Sequence, residues 1–228
     1  MKKLTTLLVM LLFTAGMAIG QNNDATIDQV GDGNSADIEQ INGDLNEAYV
    51  DQFAEGANSG NPTFANANIT QDGSENYVNI DQNAFFQFSN ATITQDGDRN
   101  IVEGVSSESA WVQSNGGLTL EVLMDGNDNR LYALRSEAQK NANELYLDII
   151  GNDNEVGAEQ EGAFADLDIT GNTNDVLLSQ LGDNSVYNTA DIDILGDGNG
   201  VNVTQSMNSN SAVVNINGSG NSSTINQN

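Results

Sequence analysis

The sequence predicts an all-β chain, a β-solenoid of stacked strand-turn-strand repeats (β-arches) in about 8–9 layers with amyloid-like cross-β geometry. Three observations carry this. Gly and Asn recur at fixed offsets along the chain, apolar residues flank them with period two, and the composition pairs 23 Gly with a single Pro and no Cys or His. Such a chain is too polar for a thick oily core and too patterned for disorder.

The chain opens with the signature of a secretory signal peptide over residues 1–20. Lys2 and Lys3 precede an apolar run from Leu4 to Phe13, and Ala18-Ile19-Gly20 offers a small-residue cleavage site before Gln21. The apolar run is short for a bilayer span, so no membrane insertion is expected. Residues 21–228 are then read as one repeat domain. The formal net charge of the whole chain is −27. After the signal only Arg99, Arg130, Arg135 and Lys140 oppose the acids, which argues against nucleic acid as a partner. Without Cys and His, thiolate nucleophiles, imidazole bases and the usual zinc or haem ligand sets are excluded. No catalytic residue, metal site or cofactor is expected, and the chain is read as non-enzymatic.

The repeat is phased on Gln29, Gln71, Gln95, Met124, Ile149, Ile169, Ile194 and Ile216. Two residues beyond each stands a turn glycine: Gly31, Gly73, Gly97, Gly126, Gly151, Gly171, Gly196 or Gly218. Five residues beyond stands Asn34, Asn76, Asn100, Asn129, Asn154, Asn174, Asn199 or Asn221. Eleven beyond, Gln recurs as Gln40, Gln82, Gln160, Gln180, Gln205 and Gln227, with Ser106 and Arg135 as exceptions. Apolar residues two and four positions before each phasing residue complete two runs of period two about a glycine turn, the pattern of strand, tight turn, strand.

In the first copy Ala25, Ile27, Gln29, Asn34, Ala36, Ile38 and Gln40 point inward, while Asp24, Asp28, Asp37 and Glu39 point outward. One arch buries too little apolar area to offset its ordering entropy, so it needs neighbours. Stacked at roughly 4.7–4.8 Å per layer, inward Gln and Asn align in columns and bond to their counterparts one layer away. These Gln and Asn residues are the candidate functional site, a stacking ladder. The first and last layers are left open, so a second copy of the chain is the natural cover.

Three stretches depart from the pattern. Irregular excursions are expected near residues 53–64, which hold Pro62, and near 104–117; Asn46, Ala48, Val50 and Gln52 read as a further, degraded arm. The stretch from Leu131 to Leu147 has the charge pattern of a short helix, but the offsets continue through Ala133 and Leu145 and favour strand and turn. Phe85, Phe86, Phe88 and Trp111 either mediate lateral contacts or cover a loop or weak layer edge. Asp125 to Asn129 does not open an EF-hand, since Arg130 and Ser136 occupy positions that motif reserves for Gly and Glu, and the Gly-Asp-Gly-Asn turns at Gly31 and Gly196 lack the Gly-Gly-x-Gly-x-Asp pattern of a calcium β-roll; weak cation binding by outward carboxylates is left open.

Gln-x-Gly-x-x-Asn-x-Ala/Val-x-Ile-x-Gln, present at Gln29 to Gln40 and at Gln71 to Gln82, resembles the repeat of curlins, the subunits of bacterial curli amyloid fibres. The resemblance extends, with decay, over nearly the whole chain beyond the signal. It implies a secreted subunit, major or minor (nucleator), that polymerises into a pilus-like fibre on the cell surface and serves biofilm matrix and cell adhesion. It also implies other curlin subunits and the curli export and nucleation machinery as partners. The chain departs from the family pattern where an inward Ser is usual. Asn23, Asn143, Asn188 and Asn210 stand at that offset, with Ser89 the only Ser, and aliphatic residues replace the first Gln from Met124 onward. The N-terminal export segment usual in the family is not apparent between the signal and the first repeat. A monomeric extracellular solenoid that acts as an adhesin or binding protein is the alternative of another class.

Overall fold

The computed structural model describes residues 22–31, 33–55, 64–85, 88–106, 109–114, 118–140, 144–182, 187–207 and 209–228. The proposed signal peptide, Pro62 and Phe86 lie outside them.

Nineteen strands and no helix make up the described chain. In order they are β1 (Asp24–Gly31), β2 (Ser35–Ile41), β3 (Glu47–Glu55), β4 (Phe64–Asp72), β5 (Tyr77–Phe85), β6 (Phe88–Asp96), β7 (Ile101–Glu103), β8 (Trp111–Ser114), β9 (Leu118–Asp125) and β10 (Arg130–Ala133). Then follow β11 (Gln139–Lys140), β12 (Asp148–Ile150), β13 (Glu155–Glu161), β14 (Ala163–Thr170), β15 (Asp175–Leu181), β16 (Asn188–Leu195), β17 (Gly200–Ser206), β18 (Ser211–Asn217) and β19 (Ser222–Gln227).

The chain alternates between two parallel sheets, so each layer contributes one strand to each. Sheet A runs β1-β3-β5-β7-β10-β13-β15-β17-β19, and sheet B runs β2-β4-β6-β9-β12-β14-β16-β18. Register is residue for residue: Ile69 pairs with Ile93, Val176 with Val201 and Ile192 with Val214. The fold is therefore the β-solenoid that the repeat predicts. Its core is a set of aliphatic columns between the sheets, dominated by Ala, Val, Ile and Leu that are nearly or fully buried. The strands alternate buried and exposed residues, as period two requires for sheets with one face on the core.

The phase of the first repeat is corrected by the register. Gln29 pairs with Gln52, not with Gln71, and Gln40 pairs with Gln71. Thus β1 stacks on the second strands of the later arches and β2 on the first strands. The local motif at Gln29 to Gln40 matches in letters but turns the opposite corner of the coil. The stretch Asn46–Gln52 accordingly lies, from Glu47 on, in a full strand of sheet A, β3, rather than in a degraded arm.

The irregular regions are insertions at corners and mid-strand. β7 ends at Glu103, and β8 takes up the same layer again at Trp111, within the expected 104–117 excursion: Trp111 pairs with Ile80 and Gln113 with Gln82. Likewise β10 and β11 form one interrupted strand, with Gln139 paired to both Gln113 and Gln160. The expected 53–64 excursion is narrower than predicted within the described residues, because β3 reaches Glu55 and β4 starts at Phe64. In the next layer Leu145 and Leu147 remain buried, although sheet B narrows there to three residues and Leu147 adopts φ 141°.

Candidate functional site

Three columns of inward polar side chains run along the solenoid. The longest lies in sheet A. Gln29 Nε2 donates to Gln52 Oε1 at 2.7 Å, Gln52 to Gln82 at 2.9 Å, Gln82 to Gln113 at 2.9 Å and Gln113 to Gln139 at 2.8 Å. The chain of bonds continues from Gln139 to Gln160, Gln180, Gln205 and Gln227. A second hydrogen of the amide often turns the corner to the facing sheet, as from Gln52 to the Ser35 carbonyl and from Gln205 to the Thr189 carbonyl. One Gln amide therefore closes a corner and ties two layers at once. A buried amide left unpaired would cost about 1–3 kcal/mol, which this geometry avoids in each layer.

The Asn column sits at the turn into sheet A. Asn100 Oδ1 accepts from the Asn129 backbone N–H at 3.1 Å, and Asn100 Nδ2 donates to the Gly126 carbonyl at 2.8 Å. The same backbone-to-Oδ1 bond links Asn76, Asn100, Asn129, Asn154, Asn174, Asn199 and Asn221 in series. Asn46 precedes Asn76 in this column, and Asn23 precedes Asn46. Asn34 does not belong to it. Its amide bonds the Val30 and Gln52 carbonyls at the opposite corner and its Oδ1 accepts from the Ala65 N–H, the column that also holds Asn188 and Asn210. The phase correction explains this, since Asn34 follows a sheet A strand.

The third column lies in sheet B and changes chemistry partway. Gln40 donates to Gln71 at 2.8 Å and Gln71 to Gln95 at 2.9 Å, after which the position is held by Met124, Ile149, Ile169, Ile194 and Ile216.

The turn glycines Gly73, Gly97, Gly126, Gly151, Gly171, Gly196 and Gly218 all have positive φ. Gly171 shows why no side chain fits: φ is 139°, and a Cβ would stand 2.0 Å from the Gly196 carbonyl oxygen of the next layer. Gly31 also has positive φ but lies at the other corner, under Ala54; Gly43 takes its expected place against Gly73.

Gln113, Gln139 and the column role of Asn23 escape a strict reading of the offsets. Gln113 and Gln139 replace Ser106 and Arg135 once the insertions are skipped. A further ladder at the turn, in which backbone N–H groups of Asp98, Asn127, Asn152 and Asn172 each donate to the side chain one layer on, was signalled only by the run of Asn and Asp one residue after the glycine.

Outside, acids stack on acids. Asp28, Asp51 and Asp81 are neighbours in register, and burial followed by the charge of Asp51 raises the Asp81 carboxyl above the usual range. Burial and then Asp168 raise Asp148 and Asp166 in the same way. The four cationic side chains among the described residues sit in the central layers, each paired: Arg99 with Asp128, Arg130 with Glu103 and Glu155, Arg135 with Glu159, and Lys140 with Glu137. Among the described residues no group of His, Cys, Asp or Glu could hold a metal ion. Trp111 is fully buried and takes no part in the surface. Phe88 is partly exposed and packs on Phe64 with ring centroids 4.3 Å apart.

The family model of the curlin associated repeat matches residues 20–53, which span the first layer and most of β3. No curated protein and no solved structure matches the chain.

Proposed function

We propose, from the curlin associated repeat matched at residues 20–53, that this chain belongs with the curlins and is a structural subunit of an extracellular fibre. Solenoids of this kind, copies of the chain or other curlin subunits, stack end to end so that the layers of one continue those of the next.

The observation that supports this reading is that the columns run from the first described strand to the last, β1 to β19 in sheet A and β2 to β18 in sheet B. Ile27 in β1 is 44% exposed, whereas its column neighbour Val50 is 2% exposed, because no strand among the described residues lies on the outer side of the first layer. At the other end β18 and β19 each have one paired edge and one free edge. Free strand edges are templates for another strand. Continuing the register places Gln227 against Gln29 of a following molecule, Ile225 against Ile27 and Asn221 against Asn23.

Charge favours the same polar arrangement. No charged residue follows Asp197 in the sequence, so the outward positions of the last layer are Ser222, Thr224, Asn226, Ser211, Val213 and Asn215. The first layer presents Asp24, Asp28, Asp37 and Glu39. Head-to-tail stacking sets acids against neutral side chains, whereas joining two acidic ends sets acid against acid.

Export, a pilus-like fibre at the cell surface, and roles in biofilm matrix and adhesion follow from the family and are part of the proposal. The role is structural; the paired cations leave no basic cleft among the described residues for an acidic polysaccharide. The test is direct. Purified protein without residues 1–20, held at high concentration for days, is expected to form fibres that bind amyloid dye and diffract at roughly 4.7–4.8 Å and 10 Å. A chain that stays monomeric under those conditions, and does not extend any curlin fibre offered as seed, overturns the reading.

A further inference from the structure

The amide bonds in the two Gln columns all point one way: Nε2 of each layer donates to Oε1 of the next layer toward the C-terminus. Each end of the chain therefore has a hydrogen-bonding sense. The last layer offers an amide hydrogen at Gln227. The first layer offers carbonyl oxygens at Gln29 and Gln40, neither of which accepts a bond among the described residues.

In sheet A the two ends match, since Gln227 meets Gln29. In sheet B they do not. A second copy would bring Ile216, which has no donor, against Gln40 Oε1. The chain contains the opposite boundary once, where Gln95 meets Met124, and that order is harmless. Gln95 Oε1 accepts from Gln71, and its Nε2 still donates to the Tyr77 carbonyl at 3.3 Å. Every polar atom of Gln95 that needs a partner keeps one. Going from amide to aliphatic forfeits only a shared hydrogen, whereas going from aliphatic to amide strands a carbonyl oxygen in a dry seam.

We propose that Gln40 is the specificity-determining residue of the N-terminal face, and that this face takes a different repeat subunit, one whose last layer carries Gln in both columns, in preference to another copy of this chain. This rests on the end-to-end stacking proposed above. It gives the fibre an order: an amide-type subunit precedes this chain, and the aliphatic column of this chain then faces onward.

The test compares elongation of preformed seeds by wild-type monomer. The first seed is wild type. The second is the variant M124Q/I149Q/I169Q/I194Q/I216Q, whose sheet B column is amide throughout and whose end presents Gln at position 216. Wild-type monomer is expected to extend the second seed about tenfold faster or more, the equivalent of about 1.4 kcal/mol at the seam. A companion variant, Q40I/Q71I/Q95I, makes the column aliphatic throughout and removes the boundary from the other side. It is expected to extend its own seeds about tenfold faster than wild type extends wild-type seeds, and it serves alone if the five-residue variant does not fold. Equal rates in these comparisons overturn the selectivity while leaving the fibre intact. Failure of every chain to extend any seed overturns the stacking itself.

Discussion

Gln82 Nε2 donates to Gln113 Oε1 at 2.9 Å across 31 residues of sequence, and Gln113 donates onward to Gln139 at 2.8 Å. These contacts carry the sheet A column through the two layers in which the repeat is interrupted. The insertion after Glu103 displaces the Gln by seven positions from Ser106, and the insertion after Ala133 displaces it by four from Arg135. In both cases the strand resumes in register rather than ending. The column therefore constrains each layer more tightly than the spacing along the chain does.

The first prediction follows. Gln113→Ala and Gln139→Ala each remove a fully buried link that both donates and accepts, and each is expected to lower stability by about 1–3 kcal/mol for the stranded amides, with a further loss from the void. Ser106→Ala and Arg135→Ala, at the positions that strict spacing selects, are expected to cost less: about 0.5 kcal/mol or less for the exposed Ser106, and about 1 kcal/mol for Arg135, which is half exposed but pairs with the largely buried Glu159. Urea midpoints of the four variants decide between a column that skips insertions and one broken by them.

The same pair shows what the sequence made legible. Period-two alternation about a glycine turn is a local signal, and it predicts the solenoid, its inward face and the Asn and Gln of most layers. The phase of the first layer is not local. Gln29-x-Gly-x-x-Asn34 and Gln71-x-Gly-x-x-Asn76 are alike in letters because both corners of the coil use glycine followed by Asn, and only the parallel register separates them. The true counterpart of the later turns, Asn42 to Asn46, carries one extra residue and was hidden by it. Insertions at Gly104 and Leu134 defeat fixed offsets for the same reason.

Trp111 supplies a second prediction. It is the single Trp of the chain, is fully buried, and belongs to the same core as Ala133 and Ala138. Its neighbour in register is Ile80 of the preceding layer. Emission of the folded chain is expected to be blue-shifted and to move red on unfolding. Trp111→Ala is expected to cost about 3–5 kcal/mol. Emission at the wavelength of a solvated indole in the folded chain contradicts this placement.

The outward acid column makes a third prediction, on pH. Burial and Asp51 hold the Asp81 carboxyl above its ordinary value, so the folded chain binds that proton more tightly than the unfolded chain. Stability from this group is present in full below the ordinary aspartate value and is lost as pH rises through the raised one. Asp148 and Asp166 act with the same sign; Asp128, lowered by its hydrogen bond to Arg99, acts with the opposite sign. Asp81→Asn is therefore expected to be more stable than wild type at pH 7 and no more stable near pH 3. Urea titrations at the two pH values check the sign, and a gain that grows on acidification contradicts it.

The turn glycines allow the contribution of layer contact to be separated from that of backbone conformation. Gly171 and Gly218 have nearly the same φ, 139° and 132°, so an Ala at either position incurs a similar conformational cost of about 1–3 kcal/mol. Their surroundings differ. A Cβ on Gly171 would lie 2.0 Å from the Gly196 carbonyl oxygen, but a Cβ on Gly218 would meet only Asn221 Nδ2 at 3.4 Å, because Gly218 lies in the last turn of the chain. Gly171→Ala must push two layers apart and break the Asn154 Nδ2 bond to the Gly171 carbonyl, whereas Gly218→Ala need move little. The expected outcome is that Gly171→Ala lowers the urea midpoint of the soluble chain clearly more than Gly218→Ala does. Equal losses would assign the whole requirement for glycine to φ, and the close approach of successive layers would then have no part in it.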